Sequence, residues 1–476
     1  MKKIISVISL VAVLYSCKTA QNETQDTTAN KPPNIIVVLV DDLGYGDVSF
    51  NGSKDIPTPH IDRIANEGAK FTNGYVTYSV CGPSRAALVT GRYQDRYGSS
   101  RNPLWAPNDI TQGLSIEEET IADFLGHEGY KSMALGKWHL GGHKELRPLK
   151  RGFDEFYGFL TGGHRYFPED WTLSDISQVK SQQDAYRTKL LHNNTRVDEK
   201  EYLTDALSRE AVTFIENNSD EPFFMYLAYN APHAPYQATQ KYLDRFPDME
   251  DGKRKTYCAM VSAVDDGVGR VLKALKDQKI DDNTLVVFLS DNGGKKGKMT
   301  DQGPLRGHKG SIYEGGFRVP FAMRWPKQIE AGTVYNEPII AMDIAAIAAE
   351  FANATPKNKL DGVNLIPYLN GEKTGTPHES IAWRKFDQKR HAVRKGDLKM
   401  IVEFDAKKQK EKVSFYNVKK DISEKEKLQL SKEQRNELKA EYRTWLDQMI
   451  DPTYMGLLMD KAYSEKHSDR FETEIY

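Results

Sequence analysis

The 476-residue chain is 39% hydrophobic and 28% charged, with a mean hydropathy of −0.62; this is the makeup of a globular protein with a large core and excludes a disordered or integral membrane class. Its 66 basic and 67 acidic residues leave a formal charge of −1 with no basic block, so no nucleic-acid partner is expected.

In chain order, Lys2 and Lys3 precede the apolar run "IISVISLVAVLY", too short to span a bilayer and typical of a signal peptide. Leu14-Tyr15-Ser16-Cys17 resembles a bacterial lipobox, which makes 1–17 a lipoprotein signal with lipidation at Cys17 and the only membrane link a lipid anchor. The expected location is the periplasm or cell surface, with plain secretion as the alternative. Residues 18–31 are polar and aperiodic and read as a flexible tether.

Three continuous apolar runs follow: "NIIVVLV" (34–40), "PFFMYLAY" (222–229) and "TLVVFLS" (284–290). Such runs suit strands buried on both faces of a parallel sheet. Helical patterns lie between them: "PHIDRIANEG", "EETIADFLGHEG", "TDALSREAVTFIENN" and the segment around Cys258, where Tyr257, Val261, Val264, Val268 and Leu272 recur at helical spacing. Cys258 reads as a small residue on or near that buried face. The rhythm predicts an α/β domain over 32–374 with a large, mostly parallel sheet flanked by helices. Residues 168–201 form a polar excursion near the site. From about 375, "SIAWRKF", "HAVRKGDLKMIVEF" and "KVSFYNV" predict short antiparallel strands, and "SKEQRNELKAEYRTWLDQMI" an amphipathic helix with Leu438, Tyr442 and Trp445 on one side. This is a small α+β subdomain over 375–450, followed by an extension over 451–476.

The chemistry clusters where the strands end, which is where open α/β sheets bind ligands. Asp41-Asp42 follow the first run, Asp291-Asn292 the last, and "NAPHAP", with His233, the one between. Carboxylate pairs there are costly unless a cation compensates them, and three carboxylates with an amide oxygen suit Ca²⁺, or Mg²⁺. In "SVCGPSRAALVTGR", Pro83 and Ser84 mark a helix start and Gly91 its C′ position, which puts Cys81 at the positive helix end and Arg85 one turn on. "GKWHLG" supplies Lys137 and His139, and "LRGHKGSIYEGG" supplies Lys309. An oxygen-rich cation site ringed by Arg, Lys and His suits a tetrahedral anion.

These residues resemble the sulfatase family of the alkaline phosphatase superfamily. Cys81 to Arg92 matches every fixed position of Cys-x-Pro-Ser-Arg-x-x-x-x-Thr-Gly-Arg, and "NIIVVLVDDLGYGD", "GKWHLG", "NAPHAP", "FLSDNG" and "HKGSIYEGG" follow in the family's order, from about Pro33 to "VSFYNVKKD". The resemblance implies an alkaline phosphatase-like fold and a Cys81 that a maturation enzyme oxidises to formylglycine. One hydroxyl of the hydrated aldehyde attacks sulfur; the other, on deprotonation, ejects sulfate. It further implies Asp41, Asp42, Asp291 and Asn292 as ligands of calcium, which Cys81 also contacts. Arg85 would support the hydrate, Lys137 and Lys309 clamp sulfate, His139 deprotonate the hydrate, and His233 protonate the leaving alcohol. By position, His164, Arg165 and His308 are candidates either for substrate contact or for a structural role. The expected substrate is a sulfated polysaccharide or oligosaccharide. Alternatives are a phosphate or phosphonate ester hydrolase of the same superfamily, or a non-catalytic glycan-binding lipoprotein in which Cys81 stays unmodified.

The anchor is tested by Cys17→Ala, which should release the protein from the membrane fraction or stall its processing. Recovery of wild-type chain, unlipidated and soluble, from culture fluid would count against it.

Overall fold

The computed structural model describes residues 31–174 and 176–471, and from Pro32 onward they form one compact unit. Cys17 lies outside the described residues. Ten strands make one sheet, in the order Thr333–Tyr335, Ala69–Phe71, Phe321–Arg324, Thr284–Ser290, Asn34–Val40, Phe223–Ala228, Lys131–Lys137, Glu155–Phe159, Leu191–His192 and Thr195–Arg196. The five from Thr284–Ser290 to Glu155–Phe159 run parallel; outside them the pairings are antiparallel except between Ala69–Phe71 and Thr333–Tyr335. The fold is therefore the α/β architecture expected from the strand–helix rhythm, a large, mostly parallel sheet flanked by helices.

Alternation along Asn34–Val40 explains the two layers. Ile35, Val37 and Leu39 enter a core shared with helices Cys81–Thr90, Ile121–His127 and Asp343–Ala352. Ile36, Val38 and Val40 enter another, shared with Pro59–Asn66, Leu203–Asn217 and Lys253–Asp277. Each apolar residue from Ile35 to Val40 thus fills a pleat on one face, and the strand can be buried on both. Cys258 sits in the second core on the longest helix, fully buried, as its helical spacing implies. Among the described residues no helix is long and apolar enough to cross a membrane.

The polar excursion after Pro168 is built of short 3₁₀ turns and the two-residue strands Leu191–His192 and Thr195–Arg196. Ser380–Lys385, Arg390–Lys395, Leu398–Asp405 and Lys410–Asn417 form a separate four-stranded antiparallel sheet. Gly396, at φ 56°, makes the turn between its second and third strands. One face carries helix Lys432–Leu446, opened by a capping box of Ser431 and Gln434, with Leu438 and Tyr442 buried. The other face joins the main domain: Ile381, Trp383 and Ile401 share a core with Tyr75, Ala87 and Phe317. Trp383, 1% exposed, stacks on Phe317 at 5.1 Å and donates Nε1–H to Val76 O at 2.9 Å.

Trp383→Ala should destabilise the protein by about 3–5 kcal/mol, the cost of emptying a large aromatic site in a core. In a urea titration both sheets should unfold in one transition shifted to lower denaturant. Two separate transitions in the wild type would show that the two sheets are not coupled through this core.

Candidate active site

Asn34–Val40 and Thr284–Ser290 pair in parallel with Val40 opposite Ser290, so Asp41-Asp42 and Asp291-Asn292 leave the sheet side by side. All four are buried, at 3% exposure or less. The turn is tight: Asp42 takes a left-handed φ of 65°, its N–H donates to Asp291 Oδ1 at 3.3 Å, and Asn292 Nδ2 donates to Asp42 Oδ1 at 2.8 Å. A non-glycine residue in that region is strained, a cost concentrated at functional sites.

Three cations from three other elements meet these carboxylates. Arg85, one turn into helix Cys81–Thr90, lies 2.9 Å from Asp291 Oδ2 through both Nε and Nη2, and Nη1 donates to Lys137 O at 2.9 Å. Lys137, at the end of its strand, pairs with Asp41 Oδ2. Gly136 before it sits at φ 87°, and a Cβ there would meet Ala228 O at 2.1 Å, so only glycine permits the kink that delivers Lys137. Lys309, from the loop before the short helix Glu314–Phe317, reaches Asp42 Oδ1 at 2.7 Å and donates to Cys81 Sγ at 3.2 Å.

Helix Cys81–Thr90 starts at Cys81 itself, two residues earlier than the Pro83-Ser84 signal implies, and ends at Gly91 with φ 67° and its N–H on Ala87 O. Cys81 Sγ also lies 3.4 Å from Asp41 Oδ1. Burial, then Asp291 and Asp41, pushes its thiol up to about 12. An unmodified thiolate is therefore disfavoured here despite the helix N-terminus.

Two histidines complete the ring. His139 follows Lys137 in a left-handed conformation, φ 58°, and is 5% exposed. Burial and the cations Lys137 and Arg85 hold it well below the usual imidazole range, so it is neutral, and its Nδ1 is buried without a hydrogen-bond partner. His233 Nε2 lies 3.8 Å from Asp42 Oδ2, and Nδ1 pairs with Ala234 O at 2.6 Å. Burial and Lys309 depress it to about 3, against the pull of Asp42.

A divalent cation fits this donor set. Donor atoms of Asp41, Asp42, Cys81 and His233 lie within 4.8 Å of one another. Asn292 Oδ1 is buried without a hydrogen-bond partner, an acceptor that a metal ion would satisfy. Burial and Asp41 push Asp291 up to about 6, while the ion pairs of Asp42 outweigh its burial and hold it well below the carboxylate range. With three cations already matching three carboxylates, an added divalent ion would make the cluster net positive and suited to an anion.

The weaker candidates separate. His164 is fully enclosed; its ring nitrogens lie against Arg165 O and Thr188 O at 2.9 and 2.8 Å, and it packs on Phe159 and Trp171. It braces the loop rather than offering a free nitrogen to substrate. Arg165 is half-exposed beside Asp170, and His308 Nδ1 pairs with Lys309 O.

Lys385 has no motif to announce it. Buried at the end of its strand, it donates to Gly310 O at 2.6 Å and Ser79 Oγ at 3.2 Å, tying the Lys309 loop to the segment before Cys81. Further along that loop, buried Glu314 pairs with Lys399 at 2.7 Å. Both lysines come from the small sheet, and their pairing is invisible without the fold.

Comparisons with known proteins agree with the geometry. The family model described as Sulfatase matches residues 33–354, and that described as N-sulphoglucosamine sulphohydrolase, C-terminal, matches 308–451. An uncharacterised sulfatase of Escherichia coli (strain K12) is 33% identical over 416 residues, covering 76% of this chain and 70% of its own length. Human N-acetylgalactosamine-6-sulfatase is 34% identical over 359 residues, covering 72% and 66%. The crystal structure of Ps i-CgsB in complex with k-i-k-neocarrahexaose superposes at a TM-score of 0.82, with 39% identity over 93% of this chain and 100% of that one.

Purified protein should contain one divalent ion per chain by elemental analysis. Exhaustive chelation should abolish activity, and calcium or magnesium should restore it. Asn292→Ala, which removes the orphaned oxygen, should weaken metal retention about 10–100-fold. Full activity without any ion would refute the metal site.

Proposed function

The chain belongs to the sulfatase family of the alkaline phosphatase superfamily, and on that premise we propose that it hydrolyses sulfate esters of a sulfated glycan through a formylglycine formed at Cys81. The observation that carries the reading is the position of Cys81. It opens a buried helix between Lys309 and Asp41, at the rim of the carboxylate cluster, with its thiol too basic to act as a thiolate.

In this reading Lys137 and Lys309 hold the sulfate oxygens. Asp41, Asp42, Asp291 and Asn292 hold a calcium ion, which supplies positive charge to the same oxygens when bound. One hydroxyl of the hydrated aldehyde at position 81, supported by Arg85, gives its proton to the adjacent carboxylate of Asp41, which lies 3.4 Å from Cys81 Sγ, as it forms a bond to sulfur. The bond from sulfur to the alcohol oxygen breaks, and that oxygen takes a proton from His233. Burial and Lys309 keep His233 neutral in the free site, and the negative charge of a bound sulfate ester would raise its proton affinity. Neutral His139 then accepts the proton of the second hydroxyl, the aldehyde re-forms, and sulfate leaves. Water rehydrates the aldehyde.

The substrate proposal is a sulfated galactan of the carrageenan type, supported by the neocarrahexaose complex of the 39%-identical structure. A surface location through a lipid at Cys17 suits an enzyme working on such a polymer and rests on the N-terminal sequence alone.

Wild type, Cys81→Ser and His233→Ala should be compared on a sulfated neocarra-oligosaccharide, an aryl sulfate and an aryl phosphate, with the intact mass of each protein. Sulfate esters should be turned over far faster than the phosphate. Cys81→Ser has no second hydroxyl and should stall as a covalent sulfate ester or be inert; multiple turnovers near the wild-type rate would end the formylglycine reading. His233→Ala should slow the oligosaccharide about 10²–10⁴-fold and the aryl sulfate much less, because only the sugar alcohol needs a proton to leave. Equal losses would remove His233 as the acid.

A further inference from the structure

The outer face of the small subdomain sorts its charges. On helix Lys432–Leu446, Glu437 and Glu441 turn toward the sheet, where both pair with Lys395 at 2.9 and 2.6 Å. Lys432, Arg435, Lys439 and Arg443 recur at steps of three and four residues and therefore share another face. From Lys432 to Arg443 the stripe runs about 16 Å along the helix. Arg435–Lys439 and Lys439–Arg443 are like-charge pairs at i,i+4, which weaken a helix by about 0.2–0.5 kcal/mol each. Among the described residues none of these four, nor Lys427 beside them, has a carboxylate within 4.0 Å.

The stripe borders a groove of about 460 Å³ between the helix and the edge strand Lys410–Asn417. Lys427, Lys432, Arg435 and Lys439 line it, and no acidic residue does. Gln429 and Asn436 add amides, and half-buried Phe415 gives an apolar surface. The groove runs on past Lys439 into a second depression of about 380 Å³ that holds Arg443 and closes at Asp447. In a chain of net charge −1, this concentration of unpaired cations is local.

We propose that this groove is a second binding site, separate from the active centre, for a stretch of polysulfated glycan chain. Its cations would meet sulfates, its amides hydroxyls, and Phe415 the face of a sugar ring. Cations over an anionic membrane would instead call for an exposed apolar face to insert beside them, and the apolar face of this helix is spent on the sheet. The site would keep the enzyme on the polymer between cleavages by raising the local concentration of sulfate esters. The inference rests on the sulfated-glycan reading of the active site.

The test uses the full chain with Lys432→Gln/Arg435→Gln/Lys439→Gln, which keeps helix propensity while removing the charges. These residues are exposed, and removing like-charge pairs should leave thermal stability equal or higher. Binding is measured in the Cys81→Ala background, which cannot consume the probe, against an iota-type carrageenan, its desulfated form, and phosphatidylglycerol vesicles. The parent should bind the sulfated polymer, weakly at high salt, and the triple variant about tenfold less, the sum of three exposed ion pairs. With Cys81 restored, the triple variant should turn over aryl sulfate within about twofold of wild type, because the sites are separate, but lose activity on the polymer. Equal binding by parent and variant, or equal binding to the desulfated polymer, would overturn the proposal. So would groove-dependent binding to vesicles alone, which would identify a membrane surface. Failure of wild type to cleave any sulfate ester would strike the active-site reading instead, leaving the binding comparison to decide the groove.

Discussion

Three carboxylates buried at the ends of two adjacent strands are the constraint on which the rest of this protein depends. Asp41, Asp42 and Asp291 have almost no contact with water, and an isolated buried charge costs several kcal/mol. The fold answers by sending Arg85, Lys137 and Lys309 from a helix, a strand end and a loop to the same point. Each of those elements is placed by its own core packing. The cluster therefore exists only when the sheet, the Cys81 helix and the Lys309 loop are all in position. Local strain at Asp42 and His139 is tolerated because so many partners over-determine the site.

The small antiparallel sheet enters the same arrangement from outside. It adds no ligand to the cluster, yet Lys385 and Lys399 hold the loop that carries Lys309. Lys385 works without a carboxylate partner, and burial lowers it to about 8. Holding a charge there is expensive, and the hydrogen bonds to Gly310 and Ser79 set the reach of Lys309 toward Cys81. The four-stranded sheet is thus part of how the active centre is shaped and more than an appendage to it.

Much of this was legible in the sequence where the signal is local. The continuous runs at 34–40 and 284–290 match their strands residue for residue, because an unbroken apolar stretch bounded by polar residues fills both faces of the sheet and stops where the polar chain resumes. Gly91 marks the end of the Cys81 helix through a backbone conformation that favours glycine. The helix start was misplaced by two residues because Val80 caps with no side-chain hydrogen bond, leaving nothing to read. For His164 the sequence leaves substrate contact and a structural role equally open; the partners that decide for the structural role, Thr188 and Trp171, come from the irregular excursion, whose path no periodicity specifies. Lys385 and Glu314 were invisible for a related reason: their partners lie 306 and 85 residues away, and ordinary lysines and glutamates carry no pattern.

The strand order also sets a timetable. Asn34–Val40 has as its neighbours Phe223–Ala228 and Thr284–Ser290, so the first strand made waits for most of the main domain before either side of it is paired. Until residue 291 has emerged, Asp41 and Arg85 both lack Asp291; until 309, Cys81 lacks the lysine that closes over it. Once they are in place the Cys81 side chain is 2% exposed, beyond the reach of another protein's active site. On the formylglycine proposal, an enzyme that oxidised Cys81 would have to meet the chain before this folding is complete, and a molecule that folded first would be sealed in its unmodified form.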